Sequence, residues 1–456
     1  MNGNKFEYVA SGLNYTRITY DTALIDSNPD LKNFIIKGFD KMQTIGKNHT
    51  FSLLFNGWTE VPIGQLFQKF KDNIPDIYSD SGGLQVFTQG KKITEELKLE
   101  VYKAQANYSS KAFIFDEPPI GTYTNDTLSK HDTINRWFDS ENLVATAKET
   151  GKNVAKQLET FDKMNSSTKS MIILHGNCFD SYQKTLDIIM KQIPKEHHRF
   201  IHGIAMGGGV LGSGILEDVK RIFYFSQLDT GDCPINQLHI LGFGSINRSF
   251  PFLMMSQNGV FNNMNISYDS TTHTSGLTQG GHWMNMKENK MIIGKMKNKN
   301  WERMYENVCE NFDLDISYDD YYDYCVESSY RRIQEKYADG TNHIKCYYAT
   351  AMSSIINFIK HMEKMIESKD TILEYLDNPK NKNIRHLRHL YEVKTMDDFK
   401  HWENKCGKYL PSKPVLKKVD APEDFFMGDH KPISGNIPRP SKSKKYNAKI
   451  SEDFFE

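Results

Sequence analysis

Six short apolar runs, each ending in a polar residue or a glycine turn, constrain this chain more than any other feature. Ile74 to Ser79 runs into Asp80-Ser81-Gly82-Gly83, and Phe113-Ile114-Phe115 runs into Asp116. Met171-Ile172-Ile173-Leu174 ends at His175-Gly176, and Ile201 to Met206 at Gly207-Gly208-Gly209. Leu238-His239-Ile240-Leu241 ends at Gly242-Phe243-Gly244, and Asn265-Ile266-Ser267-Tyr268 at Asp269. Continuous apolar runs of this length suit strands whose sheet is covered by helices on both faces. Ending so many of them in chemically able residues builds one site from many strand ends.

Helical periodicity fills the intervals. Leu97, Val101 and Ala104 share a face after Thr94, a fitting N-cap. Leu143, Ala147, Val154, Leu158 and Phe161 mark a long amphipathic stretch, which Gly151 is expected to interrupt. Leu186, Ile189 and Ile193 stop at Pro194, and Leu216, Val219, Ile222, Phe223 and Leu228 follow the glycine triplet. Strand and helix thus alternate, the pattern of a parallel sheet with crossover helices. A doubly wound sheet gathers ligand contacts at one switch point, whereas a barrel brings every strand end to one mouth. Six equipped strand ends favour the second, an α/β fold of the (β/α)8 TIM-barrel class.

That division places the first part of a catalytic barrel in residues 1–290. Residues 284–345 are lysine- and tyrosine-rich without clear strands, with 291–345 an inserted subdomain, and 346–410 hold closing helices, with Ile355, Phe358, Ile359, Met362 and Ile366 on one face. Residues 411–456 read as an extended Pro/Lys-rich tail in which Glu423-Asp424-Phe425-Phe426 recurs as Glu452-Asp453-Phe454-Phe455, a docking motif or a coincidence of composition.

Charge decides what the chain is not. Lys+Arg and Asp+Glu balance at 57 each, so the molecule is no polycation and nucleic acid would be held by local patches. The patches on offer are Lys287, Lys290, Lys295, Lys297 and Lys299, and Arg385/Arg388 with His386 and His389. Six dispersed cysteines, no CxxC pair, a polar start and no run near the ~20 apolar residues of a membrane span point to a reduced, cytoplasmic protein.

Asp80 and Asp269 are the candidate catalytic pair. Two carboxylates about 5 Å apart across a sugar cleave a glycosidic bond with retention, one attacking C1′ and the other protonating the leaving group. Either aspartate taken singly also suits a turn cap. An unrelated barrel glycosidase using the same pair is one reading that stays open.

Taken together, the motifs resemble the queuine/archaeosine tRNA-guanine transglycosylase superfamily over roughly residues 60–280. Asp80-Ser81-Gly82-Gly83-Leu84-Gln85-Val86-Phe87 is similar to its signature, Phe115-Asp116-Glu117 to its second strand-end motif, Met206-Gly207-Gly208 to its glycine pair, Leu241-Gly242-Phe243-Gly244 to its next strand end, and Tyr268-Asp269 to its nucleophile motif. The resemblance implies a (β/α)8 barrel that exchanges guanine in nucleic acid for a free 7-deazaguanine base. By motif, Asp269 would be the nucleophile and Asp80 the general acid/base. Asp116 would accept from the guanine edge and the amides of Gly207 and Gly208 would donate to O6, with Ser81, Gly82, Leu84, His175 and Leu241 completing the substrate pocket.

Departures from that pattern shift the implied polymer. His175-Gly176-Asn177 stands where the family has Gln-Gly-Gly, and Leu84 where an aromatic residue stacks on the base. The arginine-bearing stretch that grips the anticodon loop is replaced by Ser270-Thr271-Thr272-His273-Thr274-Ser275. The resemblance is then strongest to the phage and bacterial branch that modifies DNA, implying DNA and a preQ0-type base as partners, and the cytoplasm of an infected host if phage-encoded. A tRNA enzyme and a non-catalytic partner subunit are the alternatives. No cofactor is required for the exchange. The family's compact zinc motif is missing, and Cys309, Cys325, His343 and Cys346 are the residues left for a structural zinc.

Overall fold

The computed structural model describes residues 5–13, 22–82, 93–124, 134–207, 214–231, 233, 235–261, 264–270, 273–274, 282–287, 290–295, 298–326 and 341–411. Eight parallel strands close into a barrel: β1 (Phe6–Ala10), β2 (His49–Asn56), β3 (Ile77–Asp80), β4 (Lys111–Phe113), β7 (Lys169–Leu174), β8 (Ile201–Met206), β9 (Gln237–Ile240) and β10 (Asn265–Ser270), with β10 pairing back onto β1. The TIM-barrel expectation is met. A hairpin of β5 (Ile120–Thr124) and β6 (Ile134–Phe138) interrupts the fourth strand-helix unit.

Six of the eight strands coincide with the apolar runs, and β1 and β2 are additions. Alternation explains why they escape a search for apolar runs. In β1, Phe6, Tyr8 and Ala10 meet the helices while Glu7 faces into the barrel, where Lys111, Tyr78 and Gln237 surround it. In β2 Phe51, Leu53 and Phe55 face out, and Ser52 points inward to Glu7.

Helices α2 (Pro29–Gln43), α3 (Val61–Gln68), α4 (Glu95–Tyr108), α5 (Leu143–Lys163), α6 (Phe179–Met190), α7 (Ile215–Ser226) and α8 (Ile246–Gln257) follow successive strands, with a short α1 (Thr22–Ser27) preceding α2. Thr94 caps α4 by accepting from Leu97 N at 3.2 Å. Gly151, expected to break α5, lies unbroken within it. A Cβ there would come within 2.6 Å of Gln192 Cγ and 3.2 Å of Ile189 Cα, so glycine lets α5 and α6 approach closely.

The region expected to lack strands contains an antiparallel hairpin, β11 (His282–Lys287) with β12 (Lys290–Lys295), then α9 (Asn298–Asn311) and α10 (Tyr318–Val326). These pack onto α11 (Thr341–Glu367), the eighth helix of the barrel. Asn357 Nδ2 donates to Met284 O at 2.8 Å and to Asn307 Oδ1 at 2.7 Å, and Tyr321 OH lies 2.6 Å from Thr350 Oγ1. One continuous apolar core joins this segment to the barrel. Helices α12 (Lys369–Asp377) and α13 (Met396–Cys406) flank a 3₁₀ turn at Arg385–Glu392. No helix among the described residues is long and apolar enough to cross a membrane.

Candidate active site

Strand registers put Asp80, His175, His239 and Asp269 at the C-terminal rim, because each belongs to the inward-facing set of its strand or follows it directly, and Asp116, three residues beyond the end of β4, reaches His175 there. Under them lies an aromatic floor. The Phe113 and His239 rings are 4.6 Å apart, and Tyr78 stacks on Phe113 at 5.8 Å. Below that floor Glu7 accepts from Tyr78 OH at 2.6 Å, Gln237 Nε2 at 2.9 Å and Lys111 Nζ at 3.1 Å, and Lys111 also meets Asp76 at 2.7 Å. Burial raises the Glu7 carboxyl, but the Lys111 charge and the Ser52 and Tyr78 hydroxyls outweigh it and hold the group below its usual range. A paired charge in a filled interior makes the barrel a rigid support for the rim.

Asp80 is the last residue of β3. Its carbonyl accepts Gly57 N at 2.9 Å, and its carboxylate receives the Ser81 and Gly82 amides. Gly82 has φ +77°, and a Cβ there would sit 2.7 Å from Asn56 Oδ1, so this turn needs glycine on two counts. The Asn56 side chain is itself fixed, accepting Trp58 N at 2.9 Å and Thr59 N at 3.0 Å. Burial, then the negative charge of Asp116, then that of Asp269 push the Asp80 carboxyl up to about 6, against the pull of the two amides. Three strand-end aspartates therefore share one electrostatic neighbourhood.

Asp269 is buried at the end of β10. Its Oδ1 accepts Gly242 N at 2.8 Å and faces His239 Nε2 at 3.3 Å. With Ser267 Oγ 2.8 Å from Nδ1, the hydroxyl can donate there and leave an Nε2–H for Asp269. Both donors grip one oxygen, and among the described residues Oδ2 has no donor. Gly242 has φ +74°, the left-handed conformation that aims its amide inward. His239 is a site residue that the pattern of apolar runs does not single out, because its facing of Asp269 depends on the register of β9 against β10.

Asp116 and His175 pair with each other, Oδ2 to Nε2 at 2.5 Å. Gly207 makes room for this imidazole, since a Cβ there would lie 2.6 Å from His175 Cε1. The Gly207 amide, expected to be free for O6, is instead engaged with Leu174 O at 3.1 Å as an extension of the β7–β8 ladder. Ser81 is buried beside Asp80, and Leu241 is partly buried at the end of β9. Leu84, Gly208 and the two acidic-aromatic repeats of the tail lie outside the described residues.

The expected zinc set does not gather. Cys309 is exposed on α9, Cys325 is buried on α10 with Sγ 4.0 Å from Thr350 Oγ1, and His343 packs against Tyr347 with ring centres 4.9 Å apart. His343 and Cys346 share a turn of α11, yet the four ligand atoms form no convergent group. Of the proposed cationic patches, Arg388 pairs with Asp377 at 2.5 Å. Lys297 and the side chains of Lys287, Lys290, Lys295 and Lys299 lie outside the described residues.

A barrel mouth with three aspartates, two histidines and oriented amides suits proton transfer and nucleophilic attack at an electrophilic carbon. No protein-family model matches this sequence, and no curated protein is significantly similar to it.

Proposed function

We propose that the chain is a nucleic-acid guanine transglycosylase that exchanges guanine in DNA for a free 7-deazaguanine base. The convergence of Asp80, Asp116 and Asp269 on one rim is the observation that carries this reading. The nucleotide is extruded from the stack into the mouth, since its glycosidic bond is out of reach inside a duplex. Asp269 Oδ2 attacks C1′, forming an ester as the C1′–N9 bond breaks, while Asp80 delivers a proton to the departing guanine. The incoming base then gives its N9 proton to the Asp80 carboxylate and attacks C1′, releasing Asp269. An Asp80 carboxyl near 6 can serve in both directions at neutral pH.

His175 holds Asp116 by one oxygen and leaves the other for the adjacent N1–H and exocyclic amine of a guanine edge. In this reading the imidazole orients the recognition carboxylate. DNA is preferred to tRNA because Ser270 to Ser275 carries no arginine.

Incubation with duplex DNA and labelled guanine or 7-deazaguanine bases should place label in the DNA. It should also trap a covalent protein–DNA adduct that Asp269→Ala abolishes. Label entering tRNA alone would overturn the polymer assignment. Neither label nor adduct with any polymer would overturn the reaction.

A further inference from the structure

Away from the barrel mouth, the 3₁₀ turn Arg385–Glu392 and the end of α13 bring together two imidazoles and a thiol. Ligand atoms of His386, His389 and Cys406 all lie within 4.8 Å of one another. The local sequence accounts for this. Side chains three apart eclipse in a 3₁₀ helix, so Ile384, Leu387, Leu390 and Val393 form one buried stripe and His386 and His389 form another beside it. On α13, Phe399, Trp402 and Cys406 are buried at helical spacing and carry the thiol to the same place. His389 Nδ1 faces Glu392 Oε1 at 3.3 Å, which leaves Nε2 for a ligand and supplies the carboxylate that commonly orients a metal-bound imidazole. The His386 ring is stacked on Tyr409, with centroids 4.5 Å apart.

We propose that His386, His389 and Cys406 bind one zinc ion, with solvent in the fourth position. Two imidazoles and a thiolate match the borderline-soft preference of zinc better than that of calcium or magnesium, which take oxygen ligands. Zinc–ligand bonds of about 2.0–2.3 Å place tetrahedral ligand atoms about 3.4–3.7 Å apart, so the trio needs to close by no more than roughly 1 Å on metal capture. Both histidines are only partly covered and give the ion a path in, while Cys406 is buried. The site is structural. Tyr391 OH donates to Gln257 Oε1 at 2.5 Å and Asn258 Nδ2 to Val393 O at 2.6 Å, tying the turn to the end of α8 that lies away from the aspartates. A metal there pins α13 and the turn to each other and to the barrel's outer layer.

The test uses the full chain, stripped with a chelator and titrated with Co2+ and then Zn2+. One equivalent of Co2+ should bind with a thiolate-to-cobalt charge-transfer band, and Zn2+ should displace it and raise the melting temperature. Cys406→Ser should lose the band and the melting shift, whereas Cys309→Ser and Cys325→Ser should keep both. If Cys406→Ser fails to fold, the His386→Asn/His389→Asn double variant decides: a folded protein without bound metal supports the site, and a full equivalent retained overturns it. Absence of stoichiometric binding by the parent chain, or a band surviving in Cys406→Ser, overturns it as well.

Discussion

Asp80 has two neighbours of its own sign and little water to dilute them. Its carboxyl rises from 3.8 to about 6 through burial, then Asp116, with Asp269 adding to it. Because the folded value lies above the unfolded one, folding favours the protonated form. That stability is whole below about pH 4 and is lost as pH climbs through about 6. Asp80→Asn, always neutral and still able to accept the Ser81 and Gly82 amides, should stabilise the fold by on the order of 2 kcal/mol at about pH 8 and hardly at all at about pH 4. Thermal melts at the two pH values measure this, and identical melts at the higher one would mean that folding does not raise the Asp80 carboxyl. Gly82→Ala should cost about 1–2 kcal/mol for its left-handed backbone alone. It should also slow the proposed base exchange by displacing Asp80, which single-turnover kinetics would read. Asp80, Asp116, His175 and Asp269 were legible because each closes an apolar run. His239 and the Gly242 amide were not, since their role depends on the register of β9 against β10, a relation no local pattern encodes.

Helix α11 shows what a single side chain does for an element. Glu363 accepts Lys47 N at 3.0 Å, Asn48 N at 3.1 Å and His49 Nδ1 at 2.5 Å, and His49 Nε2 in turn accepts from Tyr268 OH at 2.9 Å. Burial raises the Glu363 carboxyl, but the His49 hydrogen bond and charge and the two amides hold it below 4.5. Burial likewise holds His49 below 6.5, more than Glu363 offsets. Both groups therefore lend stability above their unfolded values and lose it as pH falls, His49 first. Glu363→Ala should cost about 3–5 kcal/mol at neutral pH by stranding these donors. Urea titrations should also show a steeper loss of stability as pH falls below about 6.5 than in the parent chain, because the influence that raises His49 is gone. The loss that Glu363 itself contributes below about pH 4.5 should disappear. The apolar face of α11 was readable from its spacing. The strands β1, β2, β11 and β12 were not, because inward polar side chains or a lysine-rich composition break the apolar signal that marks the others.

At the scale of the molecule, every barrel strand has two neighbours, and β1 finds its second only in β10. The seam between them is covered by α11, which arrives after the whole of β11, β12, α9 and α10. A chain cut after residue 281 should keep the strands yet expose Tyr8, Tyr268 and the rings around Phe358, and should aggregate rather than give a monomer on gel filtration. A soluble, cooperative melt from that fragment would show that the eighth helix is dispensable. The same geometry sets a schedule for synthesis. While the ribosome works from Ala10 towards Asn265, one flank of the first strand stays open to any other extended chain, and it is shielded only once the last wall of the cylinder and its cover have emerged. Slow growth of this polypeptide thus favours chaperone capture, and acquisition of the native state is a late, all-at-once event.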